Sequence, residues 1–392
     1  MRLGRTSTVI ALGTTQTLAW ASSYYLPAIL AEPIARDLAI PTDWVFGVFS
    51  AALLLSAALG PAAGRAIDQR GGRGMLMISN LVFAAGLVLL ALAHGLALLG
   101  LAWALLGVGI AIGLYDAAFA TLAGLYGRTA RGPITGITLI AGFASTVGWP
   151  ISATLDAEFG WRVTCLAWAA VHLLVALPLN GWLIPAAPPP APAASASADD
   201  VPAPRGAMAL LAFIFAAAWF VTGAMAAHLP RLIEATGAGA ATAIAAAALV
   251  GPAQVAARIA EFGLLRHAHP LISARLATAL HPFGAIALIT LGGPVGAAGF
   301  ALLHGAGNGM LTIARGTLPL AIFGPAGYGR RNGLLGAPAR ATQACAPLLF
   351  GLVLDGAGPR WALVLSSGLT LSALVALLAL RPSAPAAVVR AG

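Results

Sequence analysis

The sequence predicts an all-α integral membrane protein with twelve transmembrane helices in two pseudo-symmetric six-helix bundles. Hydrophobic residues make up 60% of the 392 positions and charged residues only 8%, against roughly 25% charged in a soluble domain. Uncharged stretches such as 74–93 reach the roughly 20 residues that span a bilayer as a helix. A Pro/Ala/Ser-rich segment near the middle divides the chain.

The twelve predicted spans are apolar runs separated by short polar turns. Strands of about ten alternating residues, the pattern of a membrane barrel, are absent. The first run follows Arg2 and Arg5, but polar and aromatic residues interrupt it, so it is interpreted as a retained helix rather than a signal peptide. The spans cover approximately 7–31, 43–63, 74–93, 96–126, 133–157, 161–184, 207–233, 240–263, 271–291, 294–323, 333–356 and 361–380.

The central segment 186–206 is rich in Pro, Ala and Ser, a composition typical of a linker because it cannot bury a core. It separates a predicted N-terminal bundle, 1–185, from a C-terminal bundle, 207–392. Landmarks recur between the two parts, which favours a duplication. They are 25–27 with 228–230, 60–62 with 251–253, and Gly127, Gly132 and Pro150 with Gly324, Gly329 and Pro347, the last three at an offset of 197.

The charges are distributed unequally between the two sides of the predicted bundle. Fourteen of the 21 basic residues, all arginines, fall on one side, and the opposite side holds four arginines with most of the acids. By the positive-inside rule the arginine-rich side is cytoplasmic, with both termini on it. The sequence predicts a multi-pass protein of a bacterial-type inner membrane, and its basic charge reports topology rather than nucleic-acid binding.

Several classes of protein are disfavoured. Cys165 and Cys345 lie inside apolar spans, so no disulfide framework is indicated. No catalytic signature or nucleotide-binding loop is present, and no cofactor, metal site or enzymatic activity is predicted. His267 and His269 lack further ligands nearby and are interpreted as loop residues.

The stretch 64–73, GRAIDQRGGR, lies between the second and third spans and carries the densest charge in the chain. With the two six-helix halves and the central linker, it resembles the major facilitator superfamily and its loop motif G-x-x-x-D-[RK]-x-G-[RK]-[RK]. The matching positions depart in part, since Gln69 follows the aspartate and Gly72 precedes the last arginine. The resemblance implies alternating access, with a gate formed by Gly64, Arg65, Asp68, Arg70, Gly71 and Arg73.

Asp68 is the central residue of this predicted gate. At the end of the second span it can accept hydrogen bonds from the N-terminal backbone of a neighbouring helix and pair with arginines there. The alternative is that the arginines only set topology. Arg258 and Glu261, at the corresponding end of the eighth span, are predicted to be a degenerate second copy.

Charges deep inside spans mark a candidate site, because a charge at the bilayer midplane costs ~3 kcal/mol or more. Asp116 lies eleven residues before the end of the fourth span, about half a bilayer deep at 1.5 Å per residue. Arg315 and Arg340 reach a similar depth in the tenth and eleventh spans. Asp116 is the only acid at this depth and is predicted to carry a coupled proton; alternatively it is a permanent partner of one of the arginines.

Polar and aromatic residues on other spans complete the predicted substrate site. His304, Asn308, Thr312 and Arg315 share one face of the tenth span, which predicts that this face lines a cavity. The resemblance implies that the first, fourth, seventh and tenth spans surround the cavity. The predicted substrate-binding residues are Gln16, Trp20, Tyr24, Tyr115, Trp219, Thr222, His304, Asn308, Arg315, Arg340 and Gln343.

The sequence therefore predicts a monomeric secondary transporter that moves a small solute by alternating access, coupled to protons. The two arginines favour an organic or inorganic anion, and the aromatic residues favour an amphipathic, drug-like compound. An uncoupled uniporter is the alternative, followed by an intramembrane sensor or enzyme. Import and export, and symport and antiport, are equally compatible with the sequence.

Overall fold

The computed structural model describes residues 4–186 and 206–380, and every regular element in these ranges is helical. The predicted fold class, two six-helix membrane bundles, is confirmed. Most of the predicted linker and the arginines Arg2, Arg205, Arg381 and Arg390 lie outside the described residues.

Residues 4–186 of the N-terminal bundle form nine α-helices, because several predicted spans consist of two pieces. A short 3-10 helix, Gly127–Ala130, precedes α7, and a π-helical stretch, His172–Ala176, precedes α9. The helices are α1 Arg5–Ser22, α2 Pro27–Asp37, α3 Thr42–Arg70, α4 Gly72–Ala91, α5 Leu96–Gly113, α6 Tyr115–Tyr126, α7 Arg131–Ala141, α8 Ala144–Val171 and α9 Leu177–Leu183.

In the C-terminal bundle, the described residues 206–380 form seven α-helices. A π-helical stretch, Glu261–Leu265, extends the eighth predicted span. The helices are α10 Ala207–Ala235, α11 Ala240–Ala248, α12 Val250–Ala260, α13 Pro270–Leu291, α14 Gly293–Phe323, α15 Tyr328–Ala357 and α16 Pro359–Ala379.

The first and fourth predicted spans are each broken into two helices, and the backbone at the two breaks differs. Pro27 opens α2, where its missing N–H costs no helical hydrogen bond. Between α5 and α6, Leu114 adopts an extended conformation with φ −85° and ψ −167°. The fifth and sixth predicted spans meet within α8 at Gly160, whose φ of 81° interrupts the helical backbone and produces a kink.

Within the described residues, seven helical stretches are long and apolar enough to cross a membrane by length and composition. One of them, Leu96–Leu183, covers 88 residues and contains the fourth, fifth and sixth predicted spans. The helices α1, α14 and α15 are not among the seven, and these helices carry much of the polar site. Their lower hydropathy agrees with a position that faces the protein interior.

Each bundle has its own apolar core, and small residues join the two. Phe83, Trp103 and Leu106 are fully buried in the first core, and Phe300 and Phe350 in the second. Between the bundles, α3 packs along α15, with Gly60 next to Gly333 and Gly64 next to Gly329. Glycines four residues apart on both helices let the backbones approach closely.

Candidate functional site

Asp116 lies immediately after the break in the fourth predicted span. It is in the first turn of α6, following the extended residue Leu114, and only 8% of it is exposed. The N-terminus of a helix carries a partial positive charge that favours a carboxylate. The interruption therefore supplies a favourable backbone environment for an acid at mid-bundle depth.

The carboxylate of Asp116 is bonded to three side chains of the opposite bundle. Arg315 of α14 donates from Nη2 to Oδ1 at 2.6 Å, and Arg340 of α15 donates from Nη2 to Oδ2. Asn332 of α15 donates from Nδ2 to Oδ1 at 3.1 Å. Both arginines are buried. Asp116 thus forms a charged bridge between the bundles.

This bridge carries one positive charge in excess, because two guanidinium groups face one carboxylate. Each guanidinium has five N–H donors, and within the described part of the chain Arg340 makes one further contact, from Nη1 to the Ser56 carbonyl at 3.4 Å. Most of the N–H donors of Arg315 and Arg340 therefore have no hydrogen-bond partner among the described residues. The group can bind an anion with charge-assisted hydrogen bonds.

The bridge forms part of the wall of a cavity between the two bundles. The space free of protein atoms, including the open mouth, is about 460 Å³. Eight of the predicted site residues line it. These are Trp20, Tyr24, Tyr115, Asp116, Trp219, Arg315, Arg340 and Gln343, and Leu53, Ile110, Leu114, Phe119 and Thr312 complete the lining.

Aromatic rings of the N-terminal bundle form a continuous surface of the cavity. The ring of Trp20 is 5.2 Å from that of Tyr24 and 5.0 Å from that of Tyr115, and Tyr115 stacks on Phe119 at 5.2 Å. Across the cavity, the guanidinium of Arg315 lies 4.9 Å from the ring centroid of Trp219. The aromatic surface and the arginines therefore belong to the same space.

Gln16 does not line this cavity, although it shares a helix face with Trp20. It is buried and donates from Nε2 to the carbonyl of Gly113 at 2.7 Å. Gly113 is the last residue of α5, so this bond satisfies a carbonyl that the break leaves without a helical partner. Gln16 therefore stabilises the interruption between α5 and α6, next to Asp116.

The polar face of α14 divides between two cavities. Thr312 and Arg315 line the central cavity, whereas His304 and Asn308 line a smaller space of about 280 Å³ inside the C-terminal bundle. Thr222 also lies there and donates to Asn308 Oδ1 at 3.0 Å. The predicted face of α14 therefore lines two cavities, which are separated between Asn308 and Thr312.

His281 of α13, which was not among the predicted residues, also lines the smaller cavity. Its Nδ1 lies 3.0 Å from Nδ1 of His304, so one ring donates and the other accepts. Both rings are buried. The pair joins α13 to α14.

The predicted gate around Asp68 lies at the end of the bundle that also carries Arg5 and Arg275, here called the inner end. Asp68 Oδ1 accepts from the N–H of Gly329 and Oδ2 from the N–H of Arg330, both at 2.8 Å. These amides are in the first turn of α15, where helical N–H groups lack intrahelical partners. Asp68 thus caps a helix of the other bundle.

Two glycines of this motif have specific structural roles. A Cβ on Gly64 would lie 2.0 Å from the Gly329 carbonyl oxygen, so only glycine fits this approach. Gly71 has a φ of 79°, which reverses the chain between α3 and α4. Arg65 and Arg70 are exposed, Arg73 is half-buried, and none forms a salt bridge with a described residue.

Arg258 and Glu261, the predicted second copy of the gate, form no ion pair with each other in the described structure. Arg258 crosses to the other bundle and donates from Nη1 to the Thr138 carbonyl at 3.2 Å. Glu261 is buried in the π-helical stretch that follows α12. The two side chains differ in direction because the helix widens after Arg258.

A further contact between the bundles at the inner end is made by Arg131, the first residue of α7. Its guanidinium donates to the carbonyls of Ala268 at 2.5 Å and Leu265 at 3.0 Å. We call this the Arg131 seam and the Asp68 contact the Asp68 seam. In one seam an acid binds helical amides, and in the other a base binds carbonyls at a helix end.

The histidines of the inner loop are engaged in local contacts. His269 caps α13 and accepts from the Leu271 N–H through Nδ1 at 3.2 Å, while burial lowers the pKa of His269. His267 Nε2 accepts from Arg266 Nε at 3.0 Å. Among the described residues, no group of three or more potential metal ligands occurs.

A helical membrane protein with a buried charged cavity between two repeats has the architecture of a secondary transporter. A family model described as Major Facilitator Superfamily matches residues 12–303. The chain belongs to the Major Facilitator Superfamily, a family of transporters rather than enzymes, and is a multi-pass integral membrane protein. A search of curated protein sequences finds no match.

Three solved structures show the same fold at low sequence identity. The human organic anion transporter MFSD10 is 17% identical with a TM-score of 0.73, covering 96% of this chain and 100% of that one. The E. coli fucose:proton symporter FucP, in the outward conformation, is 14% identical with a TM-score of 0.74 and the same coverage. The proton:xylose symporter XylE, bound to 6-bromo-6-deoxy-D-glucose, is 13% identical with a TM-score of 0.73, covering 97% of each chain.

Proposed function

We propose that this protein is a proton-coupled secondary transporter of a small anion, bound in the central cavity by Arg315 and Arg340. The main observation in support of this proposal is the buried bridge in which these two arginines share one carboxylate, that of Asp116. A buried charge without a counter-ion is unfavourable. A solute anion supplies the missing negative charge, and spare guanidinium donors supply its hydrogen bonds.

The bridge links anion binding to alternating access because its members belong to different bundles. Asp116 lies in the N-terminal bundle, and Arg315 and Arg340 lie in the C-terminal bundle. Movement of one bundle against the other alters or breaks these bonds. The Asp68 and Arg131 seams must open when the inner end opens, so they oppose that movement.

Proton coupling follows from the fate of Asp116 when the bridge opens. Once the arginines bind the solute anion instead, the carboxylate is left in an apolar interior without its cations. Uptake of a proton neutralises it. The anion and the proton therefore bind in the same step. When the bridge forms again, Asp116 releases its proton and the arginines release the anion.

The alternative is an uncoupled uniporter in which the bridge persists throughout the cycle. The observation that favours it is the saturation of Asp116, whose two oxygens accept from three side chains. In that case Asp116 only holds α6 against α14 and α15. The two functions differ in whether a pH gradient drives accumulation.

The distribution of charge supports an inner-membrane protein with cytoplasmic termini. At the inner end, Arg5 bonds to Thr129 and Arg275 donates to the carbonyls of Leu377 and Leu380. The opposite end carries mixed pairs, Arg36 with Glu32, Arg162 with Asp37 and Arg231 with Asp355. The cavity lies between the two bundles of one chain, and we propose a monomer as the functional unit.

Flux in proteoliposomes tests the proposal. Purified protein is reconstituted with a pH gradient, and uptake of radiolabelled acetate, benzoate, phosphate and sulfate is compared with empty vesicles. We expect at least one anion to accumulate, and the proton ionophore that collapses the gradient to abolish accumulation. Solute uptake that is unchanged by the ionophore supports the uniporter. Absence of flux for every anion contradicts the anion assignment.

A further inference from the structure

The central cavity has an uneven chemistry that restricts the anion further; this inference rests on the proposed function above. Its charged groups lie together where α6, α14 and α15 meet. The rest of its surface is mostly aromatic or aliphatic. An ion that is polar on all sides would leave this apolar surface without a partner.

The partly exposed rings are placed to contact a flat apolar group. Trp20, Tyr24 and Tyr115 are half-buried on the N-terminal side, and Trp219 is half-buried on the other side. The ring of Trp219 lies next to the guanidinium of Arg315. A group bonded to Arg315 therefore has aromatic faces within its own length.

We propose that the solute is an aromatic carboxylate. Its carboxylate binds the N–H donors of Arg315 and Arg340, and its ring packs between Trp219 and the surface formed by Trp20 and Tyr115. Carboxylate and guanidinium match in geometry, since both are planar. Stacking and edge-to-face contacts stabilise an aromatic ring beyond its buried area.

The same features disfavour other solutes. A sugar needs many hydrogen-bond partners. The uncharged ones that line the cavity are Gln343, Thr312, the tyrosines and the two indole N–H groups, and Gln343 already donates to the Tyr24 hydroxyl at 2.7 Å. Phosphate and sulfate have no apolar part. A neutral aromatic compound leaves the excess charge in place.

Equilibrium binding to the purified full-length protein in detergent tests this assignment. The probes are benzoate, cyclohexanecarboxylate, benzyl alcohol and phosphate, measured by calorimetry and thermal shift. We expect benzoate to bind roughly 3- to 10-fold more tightly than cyclohexanecarboxylate, and benzyl alcohol and phosphate to bind more weakly than both.

Variants separate the ring contacts from the charge contacts. Trp219→Leu should abolish the preference for benzoate while cyclohexanecarboxylate still binds, and Trp182→Leu, at a site 76% exposed outside the cavity, should change neither. Equal affinity of the two carboxylates for the wild type overturns the aromatic assignment and leaves the anion site standing. If no carboxylate binds, both the aromatic assignment and the proposed function are wrong.

Discussion

Arg315 on α14 donates a 2.6 Å hydrogen bond to Asp116 on α6, so a buried ion pair joins the two bundles of this transporter. Arg340 bonds to the other carboxylate oxygen. The two arginines come from consecutive membrane spans, and the acid follows a helix break. Each prediction below changes one part of this arrangement or of the seams that close the inner end.

Replacing Asp116 by Asn should strengthen anion binding and abolish proton-driven accumulation. The variant removes the internal carboxylate that competes for both guanidinium groups, so affinity for a carboxylate should rise roughly tenfold, or about 1.4 kcal/mol. Exchange of solute across the membrane should persist. Calorimetry and counterflow in proteoliposomes measure the two effects.

The control for this experiment is Asp355→Asn, at the opposite end of the molecule in an exposed pair with Arg231. Loss of a buried partner destabilises a protein by ~3–5 kcal/mol, so the thermal midpoint of Asp116→Asn must first show a folded protein. Accumulation by that variant under a pH gradient would show that Asp116 is not the proton carrier.

Replacing Arg315 or Arg340 by Gln should weaken anion binding. Each variant loses charge-assisted hydrogen bonds worth about 1.5–3 kcal/mol, equivalent to a roughly 10- to 150-fold loss of affinity. Arg275→Gln is the matched control, because this arginine donates to carbonyls at the inner end. Unchanged affinity in both cavity variants would assign the arginines a purely structural role.

Replacing Asp68 by Asn should slow turnover while leaving solute affinity within about twofold. The substitution removes the negative charge that binds two amides at the start of α15, and so weakens the closed inner end. Flux and equilibrium binding are measured on the same preparation. Gln69→Ala, at the exposed neighbour, is the control, and a normal turnover rate for Asp68→Asn would contradict the gating role.

Replacing Gly64 by Ala should favour the inward-open state. The added methyl group would lie 2.0 Å from the Gly329 carbonyl oxygen, so α3 and α15 must separate. Single cysteines at the inner end should become more reactive towards a membrane-impermeant thiol reagent. Gly74→Ala adds a methyl group with no heavy atom within 4 Å and serves as control; equal reactivity of the two variants would refute the prediction.

The fold and the charged residues of the site could be predicted because they depend on local sequence. Hydropathy located the spans, and the helical rise placed Asp116, Arg315 and Arg340 at similar depths. Their mutual contact could not be derived, because it depends on the rotation of three helices about their axes. Asn332 and Ser56 were missed for the same reason.

The break before Asp116 had no clear signal in the sequence. Gly113 is one of many glycines in this chain, and no proline marks the interruption. Gln16, whose side chain stabilises this break, lies almost a hundred residues earlier in the chain. The sequence alone predicts it as a solute contact. The division of the α14 face between two cavities likewise depends on how α13 packs against α14. Nothing in the sequence distinguishes His281 of α13 from other polar residues within a span.

The two inner seams differ in charge but share a mode of contact that bears on mutational tolerance. Asp68 binds the amides of Gly329 and Arg330, and Arg131 binds the carbonyls of Leu265 and Ala268. In both sets of hydrogen bonds, one bundle contributes a charged side chain and the other contributes main-chain groups. Each seam therefore depends on the identity of one charged residue, whereas the receiving positions are limited by space, as at Gly329, where a Cβ would lie 2.5 Å from the Gly64 carbonyl oxygen.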